Sequence, residues 1–531
     1  MTLVDHAGQQ VLGSTAPAPP PVLRHNDYSA LEPPPVGEWS PVLGVSVVVP
    51  AFGGQEKLDL TLASLAAQGY PSSLTEVVVV DDGSAPALRL PELRPENTRL
   101  VPALPGGWGR AHAVHSGALS CGGEVLLFLD ADMVVFRDHL EAQMRWHHLA
   151  DYLAVTGNLR VVEDTGRPPT PREVFEAVER GEEERLVEGP GREMEWLAKA
   201  YRTTGDLRKA GPRAHRCFIG ATGSVHRAFY HECGGMDPTL LLGEDTHLGF
   251  RMLQNGAVFV PERTAGSWHL GLPHMERRRA EAMRFNRTFV GNRLPYMADS
   301  RRVRGRRWQV PGVDAVVETE GHTFEEVAAT VDALLRGDAS DLRITLVGAW
   351  EPERAARSRP ADGPGPDLRL IREHYGAEPR VRFAAAVPGA DPDVPFRLLL
   401  APGQVLAPHA VDRMVDRMEK SRCGLLRATV LGNDLGGPRL ERTAAFARAR
   451  RLAGEGEDLE AMVDRVYGVH WMDGDSELFQ EAPEAPADWE ERVARALAEA
   501  EGHRARARAL EGRFRRLTGG GLGRLLWRVL G

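Results

Sequence analysis

Blocks of apolar and mixed residues alternate along the first third of the chain. "VSVVVP" (Val45–Pro50) is apolar at nearly every position, the pattern of a strand buried on both faces. "EKLDLTLASLAAQ" (Glu56–Gln68) instead places Leu58, Leu62 and Leu65 at the three-to-four-residue period of a helix. "TEVVVVDDGS" (Thr75–Ser84) reads as a second buried strand, "GRAHAVHSGALS" (Gly109–Ser120) as a second helix, and "VLLFLDADMVV" (Val125–Val135) as a strand carrying two aspartates at its tip. Strands that alternate with helices predict an α/β fold, with a mostly parallel, Rossmann-like sheet covered on both faces. Such sheets bind ligands at the carboxyl ends of their strands. Pro50, Asp81, Asp82, Asp130 and Asp132 all fall at those ends.

The pattern returns after Trp308. "VDAVVET" starts at Val313, "EEVAATVDALL" follows at helical period, and "LRITLVGAW" and "FRLLLAPGQVLAPH" supply further strands. From Val45 to Asp130 is 85 positions, and from Val313 to Ala401 is 88. The spacing predicts a second, shorter copy of the same α/β unit. It has Ala401-Pro402-Gly403 in place of Asp-Ala-Asp and Ala349-Trp350 in place of two aspartates, so it lacks carboxylates for a metal. Before the first unit, residues 1–40 hold "STAPAPPPVLRHN" and "LEPPPVGEW", which reads as a disordered, Pro-rich arm. Residues 163–215 are charged and helical, either a solvated surface or a lid. Residues 485–531 read as a basic amphipathic helical tail. Its last part, 503–531, has eight arginines against the single acid Glu511. Such a helix either lies on an anionic membrane surface or packs on the second unit or a partner.

Composition narrows the classes. A chain of 531 residues should hold two or more domains. A net charge of -9 gives no support to nucleic-acid binding. Four cysteines without a CxxC pair suggest neither a zinc knuckle nor a disulfide framework, and a reducing cytoplasm is the expected compartment. Peripheral placement at the inner face of the membrane would follow if the tail binds lipid. The amino terminus does not read as a signal peptide, and no apolar run reaches the roughly 18 residues of a membrane span.

Four stretches stand together in order and spacing: "VSVVVPAFGGQEKLDLTLASLAAQ", "VVVVDDGS", "FLDADMVV" and "GGMDPTLLLGEDTHLGFRMLQNGAVFVP". Over about residues 44–272 the chain resembles the inverting family-2 glycosyltransferases with a GT-A fold. "GGMDPTLLLGEDTHLGFR" and "WHLG" also resemble the carboxyl half of galactosyl- and N-acetylgalactosaminyl-transferase domains. The resemblance makes residues 41–300 a catalytic GT-A domain and 308–480 a degenerate GT-A-like domain. The latter would pack on the first, shape an acceptor groove or mediate a homodimer. The implied reaction is metal-dependent, inverting transfer of a sugar from a nucleotide-diphosphate sugar to an acceptor hydroxyl.

A departing diphosphate needs a cation, and hard ions such as Mn2+ or Mg2+ take carboxylate oxygens. Asp132 is the best direct ligand on this ground; the alternative is that Asp130 and Asp132 cap the following helix. The family implies ribose, sugar or metal-bound water for Asp130, and a third metal ligand at His269, with His274 a weaker substitute. It implies that Asp81 and Asp82 recognise base and ribose, Asp82 being the base contact of a UDP- or dTDP-linked donor. Pro50, Ala51 and Phe52 would wrap the base, Glu56 reach the ribose and Arg110 touch the diphosphate. The family's Ala-Arg-Asn is replaced here by Ala113-Val114-His115. Asp245 is the expected catalytic base, with Glu244 binding an acceptor hydroxyl or orienting the loop, at a helix start that favours ionised acids. An acidic helix cap without chemistry is the alternative. Two rival functions are a nucleotide-sugar-binding scaffold and a nucleotidyltransferase; the second wants a glycine-rich basic loop that "PAFGGQEKL" does not supply.

Overall fold

The computed structural model describes residues 20–163, 167–272, 279–296, 301, 306–339, 341–350, 366–429, 437–474 and 478–480. In the first unit, the strands are β1 (Val45–Ala51), β2 (Thr75–Asp81), β3 (Thr98–Pro102), β4 (Val125–Phe128), β5 (Met133–Val135), β6 (Leu153–Val162), β7 (Gly223–His226) and β8 (Val258–Leu270). They form one sheet in the order β3-β2-β1-β4-β7-β6-β8-β5. β3, β2, β1 and β4 run parallel, and β7 is antiparallel to both β4 and β6.

The helices of this unit that frame the site are α1 (Gln55–Ala66), α2 (Arg110–Ser120), α3 (His139–His147), α4 (Pro171–Arg180), α5 (Glu195–Thr204), α6 (Arg227–Glu232) and α7 (Glu244–Gln254), and a further helix spans Arg279–Arg293. Val45, Val47 and Val49 join the core under α1 with Leu58, Leu62 and Leu65, while Val48 joins Ala113 and Val114 of α2 on the opposite face. Burial on both faces is why β1 shows no polar alternation. Val45 pairs in register with both Thr75 and Val125, which brings the carboxyl ends of β1, β2 and β4 side by side. The charged stretch after β6 is no free lid. Val174 and Val178 of α4 pack with Leu60 and Trp268, and Leu197 and Tyr201 of α5 join the main core.

The second unit contains β9 (Val313–Glu318), β10 (Leu342–Val347), β11 (Val381–Ala384), β12 (Phe396–Leu400), β13 (Leu425–Ala428), β14 (Arg439–Arg442) and β15 (Val469–Met472). Their order, β11-β10-β9-β12-β14-β13-β15, follows the first sheet position by position up to β8. The strand directions also agree. Val313 pairs with Leu342 and Phe396, as Val45 pairs with Thr75 and Val125. Beyond these strand ends Trp350 is 8% exposed, and its indole N–H reaches the Ala384 oxygen at 2.8 Å. An apolar plug thus stands where the first unit presents acids.

One expectation needs correcting. Residues 1–19 lie outside the described ones, but 20–40 are not a loose arm. Leu23, Asn26 and Tyr28 are buried. Asn26 donates to the Leu207 and Phe259 carbonyls at 3.0 and 2.9 Å and accepts from the Phe259 amide at 2.8 Å. The His25 amide donates to Val466 of the second unit at 2.8 Å. The segment is an extended strap across both units. Its anchors are single residues among prolines, so no period reveals them. The tail 485–531 lies outside the described residues. Among those described, no helix is long and apolar enough to cross a membrane.

Arg448, on the helix Thr443–Leu452, seals the interface between the units at 1% exposure. It donates to the Gly256 and Ala257 carbonyls, each at 2.8 Å, just past the end of α7, and to Leu23 and His25 of the strap. Arg448→Ala strands buried carbonyls and should cost at least about 3 kcal/mol, read as a lower urea midpoint. Acid should destabilise the fold as well. Burial lowers His139 and His215 to about 4. Unfolded imidazole titrates near ~6.5, so below that pH the unfolded chain binds more protons and stability falls as pH drops toward ~4. The urea midpoint should fall between pH 7 and 4.5, and His139→Gln should flatten that slope.

Candidate active site

β1 hands over to α1 through Phe52, Gly53 and Gly54. Both glycines have positive φ, 62° and 63°, a turn that strains other residues. The turn opens a cavity of about 400 Å³ lined by Pro50, Ala51, Phe52, Gly53, Gly54, Lys57, Asp82, Arg110, Ala113, Asp130, Ala131, Asp132, His269 and Leu272. Phe52 is 74% exposed at its mouth.

The two acids after β2 divide their work. Asp81 accepts from the Ser84 amide at 2.8 Å and the Leu88 amide at 3.4 Å, closing a turn. Burial opposes its charge, but hydrogen bonds from Ser84 and Leu88 outweigh it and hold its pKa below the usual aspartate range. Asp82 faces the cavity and accepts from the Gly109 amide at 2.6 Å. Glu56 is exposed in the first turn of α1 and is not among the lining residues, whereas its neighbour Lys57 is.

Asp130 and Asp132 occupy the turn between β4 and β5. No helix follows for them to cap, since α3 starts at His139. β5 pairs antiparallel with β8 and sets Met133 opposite His269, which draws His269 to Asp132. Asp130, Asp132 and His269 offer ligand atoms within 4.8 Å of one another. His269 Nδ1 lies 2.9 Å from the Gly271 carbonyl, which can only accept, so Nδ1 carries the proton. Nε2 then presents a lone pair 3.6 Å from Asp132 Oδ1. A carbonyl-held neutral imidazole is the usual form of a ligating histidine, and in that form Nε2 and Oδ1 could share a cation. Carboxylates with one imidazole suit Mn2+ or Mg2+. The residues present therefore fit a divalent ion. His274 lies outside the described residues.

Arg110 opens α2 and bridges two acids. Nε donates to Asp130 at 2.7 Å and Nη1 to Glu244 at 3.1 Å. Nη2 is buried without a protein partner. Burial disfavours its charge, yet Asp130, Glu244 and Asp245 outweigh that and raise its pKa further. Gly220 is needed beside it, because an added Cβ would meet the guanidinium at 2.8 Å. Arg110 lies one helical turn before Val114 on the same face of α2, so a guanidinium is retained although the family's Ala-Arg-Asn is not.

Glu244 and Asp245 open α7. Glu244 is buried, and burial followed by the Asp245 charge pushes its pKa up to about 7 against the pull of Arg110. Asp245 is more open. It accepts from the Thr246 amide at 2.6 Å and the Gly220 amide at 3.5 Å. It is not among the lining residues and reaches the cavity's charges through Arg110.

The sequence reading gave Lys57 no role. Its Nζ lies 3.3 Å from Asp132 Oδ2 and also donates to the Leu270 carbonyl. Its position in the first turn of the helix after β1, above the strand ends, was the available signal.

Residues 46–224 match the family model described as "Glycosyl transferase family 2". This segment belongs to glycosyl transferase family 2. The family-2 segment holds Pro50 to Phe52, Asp81, Asp82, Arg110, Asp130 and Asp132, and stops short of Glu244, Asp245 and His269. A chondroitin synthase from Escherichia coli is 22% identical over 360 residues, 64% of this chain and 50% of that protein. The chain thus spans about half the length of that curated relative. Two solved structures overlap with TM-scores of 0.30. GalNAc-T7 with UDP, GalNAc and Mn2+ is 18% identical over 44% of each chain. S. aureus TarS 1-349 is 17% identical, over 46% of this chain and 64% of that one.

The bridge through Arg110 should be energetically coupled. A double-mutant cycle of Arg110→Met and Glu244→Gln is expected to give about 1–3 kcal/mol in unfolding free energy. A value near zero would mean that the two side chains do not share one charge network.

Proposed function

We propose that the family-2 unit transfers a sugar, with inversion, from a nucleotide-diphosphate sugar to an acceptor hydroxyl. The observation that carries this reading is the convergence of Asp130, Asp132 and His269 on the same cavity as Asp82, with the unpartnered Nη2 of Arg110 beside them. Asp82 accepts from a uracil or thymine N–H or a ribose hydroxyl, and Pro50, Ala51 and Phe52 flank the base. Asp130, Asp132 and His269 would hold Mn2+ or Mg2+, which supplies charge neutralisation for the leaving diphosphate. Arg110 donates to the same developing charge. Asp245 takes the proton of the acceptor hydroxyl as that oxygen bonds to the anomeric carbon. The bond from that carbon to the diphosphate oxygen breaks, its electron pair leaving with the nucleoside diphosphate. Glu244 stays bound to Arg110 and orients the loop that carries Asp245. The chondroitin synthase relative agrees with a saccharide acceptor. We read the second unit as a degenerate copy that buttresses the first; its shared strand order and missing acids support this.

Release of nucleoside diphosphate from UDP- and dTDP-sugars, with and without Mn2+, tests the reading. Chelation should abolish turnover, and Mn2+ should restore it. Asp132→Asn and Asp245→Asn should each lower turnover at least about 10²-fold while thermal unfolding still shows a folded protein. Full activity in either variant removes the role assigned to that residue, and Mn2+-independent release removes the metal.

A further inference from the structure

A protein cation already stands among the acids of the candidate active site. Lys57 Nζ is 3.3 Å from Asp132 Oδ2, donates to the carbonyl of Leu270, and lines the cavity with 39% of its side chain exposed. Two of its three donors are used. Of the two oxygens of Asp132, Oδ2 is held by an ammonium, while Oδ1 lies 3.6 Å from His269 Nε2.

From this geometry, and resting on the nucleotide-sugar reading above, we propose that Lys57 is a diphosphate-binding residue gated by the metal. Before a divalent ion is present, Lys57 neutralises Asp132 and ties the turn after β4 to the end of β8. With a divalent ion held by Asp130, Asp132 and His269, Lys57 would lose Asp132 as its partner to like-charge repulsion. Lys57 is a point charge on a flexible four-carbon stem, so it can leave the oxygen without moving α1. The diphosphate is the anion that then receives it.

Charge arithmetic supports the assignment. Among the cavity-lining residues, Asp82, Asp130 and Asp132 oppose Lys57 and Arg110, a sum of -1. A divalent ion makes that sum +1, and without Lys57 it would be zero. Glu244, bonded to Arg110, and Asp245 lie just outside this lining and add negative charge, so Lys57 is one of two lining cations that a diphosphate can draw on, and the one not bonded to Glu244.

Calorimetric titration of the full chain separates this role from a structural one. Mn2+ alone is titrated first, then UDP and dTDP at saturating Mn2+. Lys57→Met should bind Mn2+ about two- to fivefold tighter, because a half-exposed competing ion pair is gone. The same variant should bind the diphosphates at least about tenfold more weakly. Lys57→Arg, which keeps the charge, should recover diphosphate affinity to within about threefold of wild type. Unchanged diphosphate affinity in Lys57→Met overturns the proposal. So does Mn2+ affinity that is unchanged or weaker, since Lys57 would then serve only to orient Asp132. A wild-type chain that binds neither Mn2+ nor diphosphate overturns the nucleotide-sugar reading and this inference with it.

Discussion

The guanidinium of Arg110 is the fixed point of the site. Five carboxylates, Asp82, Asp130, Asp132, Glu244 and Asp245, gather at one rim of the first sheet, and like charges at such range repel strongly in a partly dry environment. Arg110 bonds to one acid from the turn after β4 and to another at the start of α7. It thereby joins a segment near residue 130 to one near residue 244. Removing either end of the bridge leaves a charge without its partner in a partly dry site.

Much of this was legible in the chain. The nearly unbroken apolar runs at Val45–Pro50, Val77–Val80 and Val125–Leu129 gave the buried strands, and the polar ends of the last two gave Asp82, Asp130 and Asp132. What could not be read was long-range register. His269 meets Asp132 because β5 and β8 pair antiparallel; no local spacing encodes that pairing, and only the family resemblance pointed to this histidine. Asp81 and Asp82 look alike in sequence, yet only one escapes the turn. Glu56 and Lys57 are neighbours on a helix, and the 100° between them sends one outward and one into the cavity. The strap at residues 20–40 was missed because prolines and isolated anchors carry no period.

The second sheet shows what the architecture does without its acids. Order and direction are kept, while Trp350 fills the region beyond the strand ends and Gly403 stands where Asp132 would be. A core satisfied by burial tolerates that exchange, since apolar packing at a strand end incurs no desolvation of charge. Through Arg448 the second unit holds the chain just past the far end of the helix whose first turn bears Glu244 and Asp245.

The strap also constrains how the chain reaches its final form. Residues 20–31 are made long before the second unit, yet the seat for His25 is the carbonyl of Val466, and that for the Leu23 oxygen is Arg448. Such contacts close loops of more than four hundred residues and form late. Asn26 and Tyr28 can seat on the first unit as soon as that unit folds, whereas His25 and the Leu23 carbonyl stay without their second-unit partners until that unit is made, so the strap is the covalent and hydrogen-bonded tie between two successively folded halves.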